Sequence, residues 1–439
     1  MTNCIAFDLT RLFIGPMSPV PRGIDRVDLL YARHFFEEWN GDCVGVLPTP
    51  WGIRWFNRDR SLRVLNFIED YWRETADADS DPAYLWVRAR LRGKQPSTLP
   101  TNARSAGARL VAGFLGFALR HGLALGRPVS SLPPRTVYLN TGQITLAVPQ
   151  LLTWLGARQD IKPVFMLHDA IPIEYPEYCS PRLSQSHAQM LANTARYAAG
   201  LIVTTEAAGE SIRRELARRQ RIDIPMLAAP LPVPPPFLER AAPDPALRDI
   251  AYFVVSGAID PRKNHLLLLH VWRELVRQQG PESPKLVFVG SRRRTSDAVI
   301  DMLERCDVIK DHVLEIAGLS TPGLRQLLAG ARALLMPSFA EGFGIPIIEA
   351  LALGTPVIAS DLPAHRETGG NQATYISPID GIGWLSAVRA HACNNTAGSD
   401  AKPTRAPPHD WSHADYFSRI ERFVTLKGTP SAGPPRAGC

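Results

Sequence analysis

The 439-residue chain lacks most of what would place a protein outside the cell or across a bilayer. Its six cysteines, at 4, 43, 179, 306, 393 and 439, form no C-x-x-C pair and have no histidine at ligand spacing. That argues against a zinc site or a disulfide framework and suits a reducing compartment. No apolar run is long enough to span a membrane. The opening MTNCIAFDLTRLF has no basic start, apolar core or small-residue cleavage site, so no secretory signal is read and the chain is expected in the cytoplasm. No D-x-D stands beside the motifs described below to hold a divalent metal. Asp77-Ala78-Asp79-Ser80-Asp81 spells something similar but reads as a surface acidic run. From Ala83 to Arg135 there is no Asp or Glu at all, while Arg and Lys recur.

What is present is the material of two globular cores, with 45% hydrophobic residues and a length sufficient for two domains. Short β-rich runs at Asn3 to Asp8, Val44 to Leu47, Val137 to Asn140, Val164 to Leu167 and Leu201 to Thr204 alternate with helical patterns. A second series follows with YFVVSG, KLVFVG, VLEIAG and ALLMPS. Alternation of this kind predicts parallel α/β sheets. The Pro-rich APLPVPPPF, Ala229 to Phe237, predicts the connection between them. The expected organisation is a first domain over 1–235 carrying a basic insert at about 83–135, a second over 236–426, and a disordered tail at 427–439. Asn394 to Pro408 is also expected to be disordered.

Within the basic insert, Arg109, Arg120 and Arg127 fall on one side of a helical wheel drawn over 105–127, opposite Leu, Phe and Ala. Two readings stay open: a helix lying in an anionic membrane interface, or an ordinary helix packed on the first domain. Nucleic acid is not expected, because aromatic and basic residues do not interleave there.

Three stretches carry chemistry. SGAIDPRKNHLLLL, Ser256 to Leu269, puts Arg262 and Lys263 where a strand gives way to a helix, at the sheet edge where open α/β folds bind ligands. An arginine fork and a lysine point charge suit a diphosphate. VLEIAGLSTPGLRQLLAGARALLMPS, Val313 to Ser338, leads into SFAEGFGIPIIEALALGTPVIAS, where Glu341 and Glu349 stand eight residues apart around a glycine turn. Gly342, Phe343 and Gly344 open a helix near Pro346, and free N–H groups with the helix dipole suit an anion or sugar hydroxyls. Glu349, one turn in, is expected to reach the same cleft.

Taken in order, these stretches resemble the retaining family 4 glycosyltransferases of GT-B fold: a G-x-x-x-P-R-K-N turn at Gly257 to Asn264, then a strand-loop-helix, then E-x7-E. The resemblance is dense from Tyr252 to about Glu367 and looks most like the mannosyltransferases. It implies two Rossmann-like domains facing a cleft, with a nucleotide-sugar donor on the second and a glycan or lipid-linked acceptor on the first. Arg262 and Lys263 would bind the diphosphate, with Gly257 beside them. Glu349 would hold the ribose, and Gly318 and Leu319 would lie against the base. Glu341 and the amides of Gly342, Phe343 and Gly344 would face the transferred sugar. HDAIPIEYPEY after the VFML strand resembles the family's His-Asp-x-x-Pro turn, which puts His168 on the donor sugar. Arg22 and Gly23 would lie on the acceptor side. No metal and no cofactor is implied. The first donor expected is GDP-mannose, and the setting is surface-polysaccharide assembly at the inner membrane face. The remaining readings are a GT-B epimerase or phosphorylase, and a non-catalytic nucleotide-sugar-binding subunit of a membrane complex.

Overall fold

The computed structural model describes the chain except residues 1–3, 15–20, 22, 73–76, 97–115, 117–125, 240, 294–295, 394–411 and 427–439. Two sheets dominate it. The first contains β1 (Ile5–Asp8), β2 (Cys43–Thr49), β3 (Gly52–Phe56), β4 (Arg127–Pro128), β5 (Val137–Asn140), β6 (Lys162–Leu167), β7 (Gly200–Val203) and β8 (Met226–Ala228). Their order is β4-β3-β2-β1-β5-β6-β7-β8, parallel except for the antiparallel β2–β3 and β3–β4 pairs. The second contains β9 (Tyr252–Ser256), β10 (Lys285–Val289), β11 (Val313–Ile316), β12 (Leu334–Met336), β13 (Val357–Ser360) and β14 (Ala373–Ile376). It is wholly parallel, in the order β11-β10-β9-β12-β13-β14. Central strands such as Tyr252–Ser256 are buried along their whole length, because helices cover both faces and nearly every position must be apolar.

The two sheets share one apolar cluster. It runs from Phe7, Tyr31 and Phe35 through Leu231, Phe237 and Tyr252 to Leu327, Ile347 and Tyr416. The proline-rich connection is part of it: Ala229, Leu231, Val233 and Phe237 are buried, so this segment is packed rather than free. The helix His413–Leu426, grouped by its sequence position with the second half, packs against the first. Tyr416 shares a 2.6 Å hydroxyl hydrogen bond with Tyr31, and Phe417 stacks on His34 at 3.8 Å. Its apolar face finds its cover on the helix Gly23–Arg33 and the π-type turn His34–Glu38 that continues it.

The basic insert departs from the expectation. Arg127 is not on a helix with Arg109 and Arg120. It sits in β4, paired with Trp55, its guanidinium 5.3 Å from the Trp55 ring. Pro128 ends any helix there, and a side chain at Gly126 would strike the Phe56 ring at 2.6 Å. Arg109, Arg120 and nearly all of 105–127 lie outside the described residues, as do Asn394 to Pro408 and the tail. Among the described residues no helix is long and apolar enough to cross a membrane.

Asp81 is also corrected. Rather than joining a surface run, it is buried, caps the helix Pro82–Leu91 by accepting from Ala83 N at 2.8 Å, and accepts from Ser320 N of the second domain at 2.8 Å. One carboxylate thus satisfies backbone donors from two domains. Asp81→Ala is expected to cost about 2 kcal/mol, from a lost cap and an orphaned buried N–H. Thermal unfolding should show this as a midpoint several degrees lower. An unchanged midpoint would dismiss the strap.

Candidate active site

In the second sheet the strand order reverses between β9 and β12, and the loops that follow these strands form a crevice there. The first loop turns at Pro261–Lys263, where Asp260 accepts from Arg262 N at 3.2 Å, and ends on left-handed Asn264. Asn264 Nδ2 donates to Pro337 O at 3.1 Å and to Pro378 O at 2.8 Å, and Phe339 N donates to Arg262 O at 2.7 Å. These bonds lock the turn to the loop after β12. Gly257, with φ +139°, lets the Lys263 stem pass: a Cβ there would lie 3.3 Å from Lys263 Cε.

The two cations converge on Glu341. Arg262 Nη1 donates to Glu341 Oε2 at 2.9 Å and to Ala340 O at 3.0 Å, and Lys263 Nζ pairs with Glu341 Oε1. Ser338 Oγ donates to the same Oε1 at 2.9 Å. Burial alone would push the Glu341 carboxyl up, but Arg262, Lys263 and His365 overcome it and hold it well below the usual carboxylate range. Burial pulls Lys263 down despite the Glu341 charge, and the side chain is only 11% exposed. Both oxygens of Glu341 are therefore engaged with the cations rather than open to a ligand.

Left-handed Gly344 opens the helix Ile345–Ala352, with Pro346 in its first turn, close to the start read from the sequence. Glu349 on this helix is fully buried. Arg26, from the helix Gly23–Arg33, brings Nη1 to 2.6 Å from Glu349 Oε1, off the hydrogen-bonding direction. Oε1 is held by this ion pair, and Oε2 has no hydrogen-bond partner among the described residues. Burial raises the Glu349 pKa and Arg26 offsets part of that. Glu349 thus does not share the Glu341 cleft directly, because Arg26 lies over it. Gly23 starts Arg26's helix against the second domain, since a Cβ there would be 3.1 Å from Ile345 Cδ1. Arg22 lies outside the described residues.

Across the cleft, His168 and Asp169 follow β6. The Gly342 carbonyl accepts from Thr205 Oγ1 at 2.8 Å and Thr204 Oγ1 at 3.3 Å. A Cβ at Gly342 would lie 2.4 Å from His168 O, so only glycine permits this approach. Burial, with Arg11 nearby, pushes His168 down to about 3 and keeps the ring neutral. One ring nitrogen bonds the Thr141 backbone, and Nε2 has no hydrogen-bond partner among the described residues. Phe343 is buried, and its carbonyl accepts from Thr368 Oγ1 at 2.7 Å. Gly318 is left-handed at φ +77°, in the loop between β11 and the helix Thr321–Ala329. Leu319, expected against a base, is packed into the core at 6% exposure.

Several contributors are not evident in the sequence. Arg26 stands three residues after Gly23, and only its partner in the other domain marks it. Glu367 accepts from Glu206 N at 2.7 Å and Ala207 N at 2.8 Å, so a carboxylate of the second domain caps a helix of the first. His365, with Nδ1 2.9 Å from Ser360 O, acts on Glu341 electrostatically. On the first domain Arg11 bridges Asp25 at 3.0 Å and Gly142 O at 3.0 Å. Beside it, burial pushes the Asp28 carboxyl up to about 8.

Residues 251–391, which hold these second-domain loops, match the family model for glycosyl transferases group 1. Over 141 residues the chain is 37% identical to the O-antigen chain mannosyltransferase RfbU of Salmonella typhimurium, covering 31% of this chain and 37% of that protein. Over 229 residues it is 27% identical to the serotype-specific mannosyltransferase WbdA of Escherichia coli, covering 48% of this chain and 28% of the relative. The chain therefore spans well under half the length of these relatives. Among solved structures, Alr3699/HepE from Anabaena in complex with UDP and glucose superposes with a TM-score of 0.59 at 14% identity, over 97% of this chain and 100% of that one. A UDP-forming α,α-trehalose-phosphate synthase from Burkholderia vietnamiensis does so at 0.57 and 12%, over 99% of each chain. At such identities the likeness is one of fold.

Proposed function

Because the chain belongs to the group 1 glycosyltransferases, the family 4 proteins of GT-B fold, we propose that it moves a hexose from a nucleotide sugar to a saccharide acceptor with retention of configuration. The observation carrying this is the convergence of Arg262 and Lys263 on Glu341 at the β9–β12 crevice, opposite His168. A departing nucleoside diphosphate builds up negative charge, and cations already held in place stabilise it without reorganisation. Glu341 is the anchor that holds them. As the diphosphate draws the cations towards itself, an oxygen of Glu341 becomes available to a hydroxyl of the sugar. The amides of Gly342 to Gly344 lie beside it. Neutral His168, through Nε2, accepts from another sugar hydroxyl. Glu349, buried with Oε2 unfilled and Oε1 ion-paired to Arg26, suits a ribose diol once Arg26 swings aside, and the backbone at Gly318 and Leu319 suits the base. Gly23 is assigned to the acceptor side by the family resemblance.

Donor and acceptor are inferred from kinship: two similar proteins are named O-antigen chain and serotype-specific mannosyltransferases, which favours GDP-mannose and an acceptor in surface-polysaccharide assembly, glycan or lipid-linked. UDP-sugars are the competing donors, since the similar Anabaena structure holds UDP and glucose. A thermal-shift screen of nucleotide sugars decides between them, because a ligand at a hundred times its Kd adds about 2.7 kcal/mol. No stabilisation by any nucleotide sugar, with no donor hydrolysis, would overturn the proposal. Proton NMR of the product's anomeric linkage tests retention.

Activity is also expected to survive EDTA. Arg262 and Lys263 supply the charge a metal would, and among the described residues no three His, Cys, Asp or Glu side chains converge as a metal-binding group. A strict Mn²⁺ or Mg²⁺ requirement for the chemical step would count heavily against this reading.

A further inference from the structure

The first domain holds a buried acid to which the chemistry of the cleft gives no task. Asp28, on the helix Gly23–Arg33, is fully buried and lies near two further carboxyls, Asp8 and Asp25. Burying an acid in such company is costly, and packing alone would be served better by an apolar side chain. Thr141 Oγ1 donates to Asp28 Oδ1, while Oδ2 has no hydrogen-bond partner among the described residues. Burial pushes the carboxyl up to about 8, so at neutral pH Asp28 is chiefly the neutral acid.

Thr141 and Gly142 follow β5, and several groups brace them. Arg11 Nη1 donates to Gly142 O at 3.0 Å while its Nε pairs with Asp25 at 3.0 Å. A Cβ at Gly142 would lie 2.6 Å from Arg11 Cβ and 3.1 Å from Asp28 Oδ2, so glycine is what lets the arginine and the acid close on this segment. On its other side the Thr141 carbonyl accepts a hydrogen bond from the His168 ring. An imidazole that donates from one nitrogen presents the other as an acceptor, and the nitrogen left here is the unpartnered Nε2. The Arg11 charge also disfavours the imidazolium.

We propose that Asp28, buttressed by Arg11, is a positioning residue: it fixes Thr141, and through the Thr141 carbonyl it sets the tautomer and aim of His168. Nε2 is thereby held as an acceptor for a hydroxyl of the donor sugar. This rests on the glycosyltransferase reading above, and Asp28 itself touches no substrate.

The test measures turnover of GDP- and UDP-sugars by the full chain beside its affinity for GDP and UDP. Asp28→Ala should lower kcat about tenfold, on the order of one hydrogen bond of alignment, with nucleotide affinity retained because the nucleotide sits on the second domain. Asp28→Asn should recover most of that loss, since its amide oxygen still accepts from Thr141 as the neutral acid does. Asp28→Ala combined with His168→Ala should be no slower than His168→Ala alone, as expected of residues that act through one group. Nitrogen NMR of the His168 ring reads what packing alone would not move: a bare Nε2 beside a protonated Nδ1 in the wild type, and averaged tautomers in Asp28→Ala. Should Asp28→Ala fail to fold, Thr141→Val, which keeps the carbonyl and drops the hydroxyl, carries the same expectations. Normal turnover in these variants, losses that add fully to that of His168→Ala, or an unchanged ring signature would overturn the positioning role alone. A His168→Ala chain as fast as the wild type would take His168 off the donor sugar, and this proposal with it. A wild-type chain that neither binds nor cleaves any nucleotide sugar would overturn the glycosyltransferase reading itself.

Discussion

Replacing Lys263 by alanine should lower kcat by about 10²–10³-fold, the usual cost of removing one preorganised group that stabilises leaving-group charge. The fold should survive. Glu341 would keep Arg262 Nη1 at 2.9 Å and Ser338 Oγ at 2.9 Å, so the carboxylate is not stranded as it would be in an isolated buried pair. Lys263→Arg should not restore turnover. The lysine stem runs against Gly257, and a guanidinium fork cannot take the place of a compact ammonium in that space. Arg262→Ala should fall by a similar factor, and the double mutant should lose little more than the worse single one, because both cations act on one diphosphate through one anchor. Steady-state kinetics with circular dichroism on each variant checks this. Near-normal turnover in either single mutant would remove the diphosphate assignment, and fully additive losses would mean the two act separately.

Much of this arrangement is legible in the sequence, for identifiable physical reasons. Strands buried on both faces must be almost continuously apolar, so Val137–Asn140 and the run at Tyr252–Ser256 stand out by composition alone. The Pro261–Lys263 turn and the opening of the Ile345 helix announce themselves through proline and glycine, whose backbone limits are local. The antiparallel strands at one end of the first sheet do not announce themselves. Gly52–Phe56 is antiparallel and half-exposed, and β4 has two residues, so neither carries a run long enough to read. Contacts that depend on the other domain are equally silent. Arg26 over Glu349, Glu367 on the Glu206 helix, Asp81 on Ser320 and Tyr416 on Tyr31 join residues far apart in the chain. These long-range pairs set the closure of the cleft, whereas the local turns set its chemistry.

The two glutamates separate those tasks, and their amide variants should fail differently. Glu349→Gln should weaken donor affinity about 10- to 100-fold, since hydrogen bonds to a charged group are worth about 1.5–3 kcal/mol and an amide offers the ribose only one acceptor. It also releases Arg26, whose side chain is 21% exposed and can turn to water, so the fold should bear the change. Turnover at saturating donor should move much less. Glu341→Gln removes the charge that holds two cations in place. Lys263, already pulled down by burial, would lose the carboxylate that sustains its charge, and Arg262 would keep its bond to Ala340 O and the looser 3.9 Å pair with Asp260. The nucleoside's base and ribose contacts are untouched, so nucleotide binding should persist. The chemical step should collapse, because leaving-group charge and sugar distortion grow together toward the transition state, where the anchored cations matter most. Calorimetric titration of the nucleotide beside steady-state kinetics separates the cases. Loss of nucleotide binding in Glu341→Gln, with none in Glu349→Gln, would reverse the assignment. The spacing of the pair follows from the division of labour: the glutamate before the helix anchors the charge that drives departure, and the one a turn inside it grips the part of the donor that stays whole.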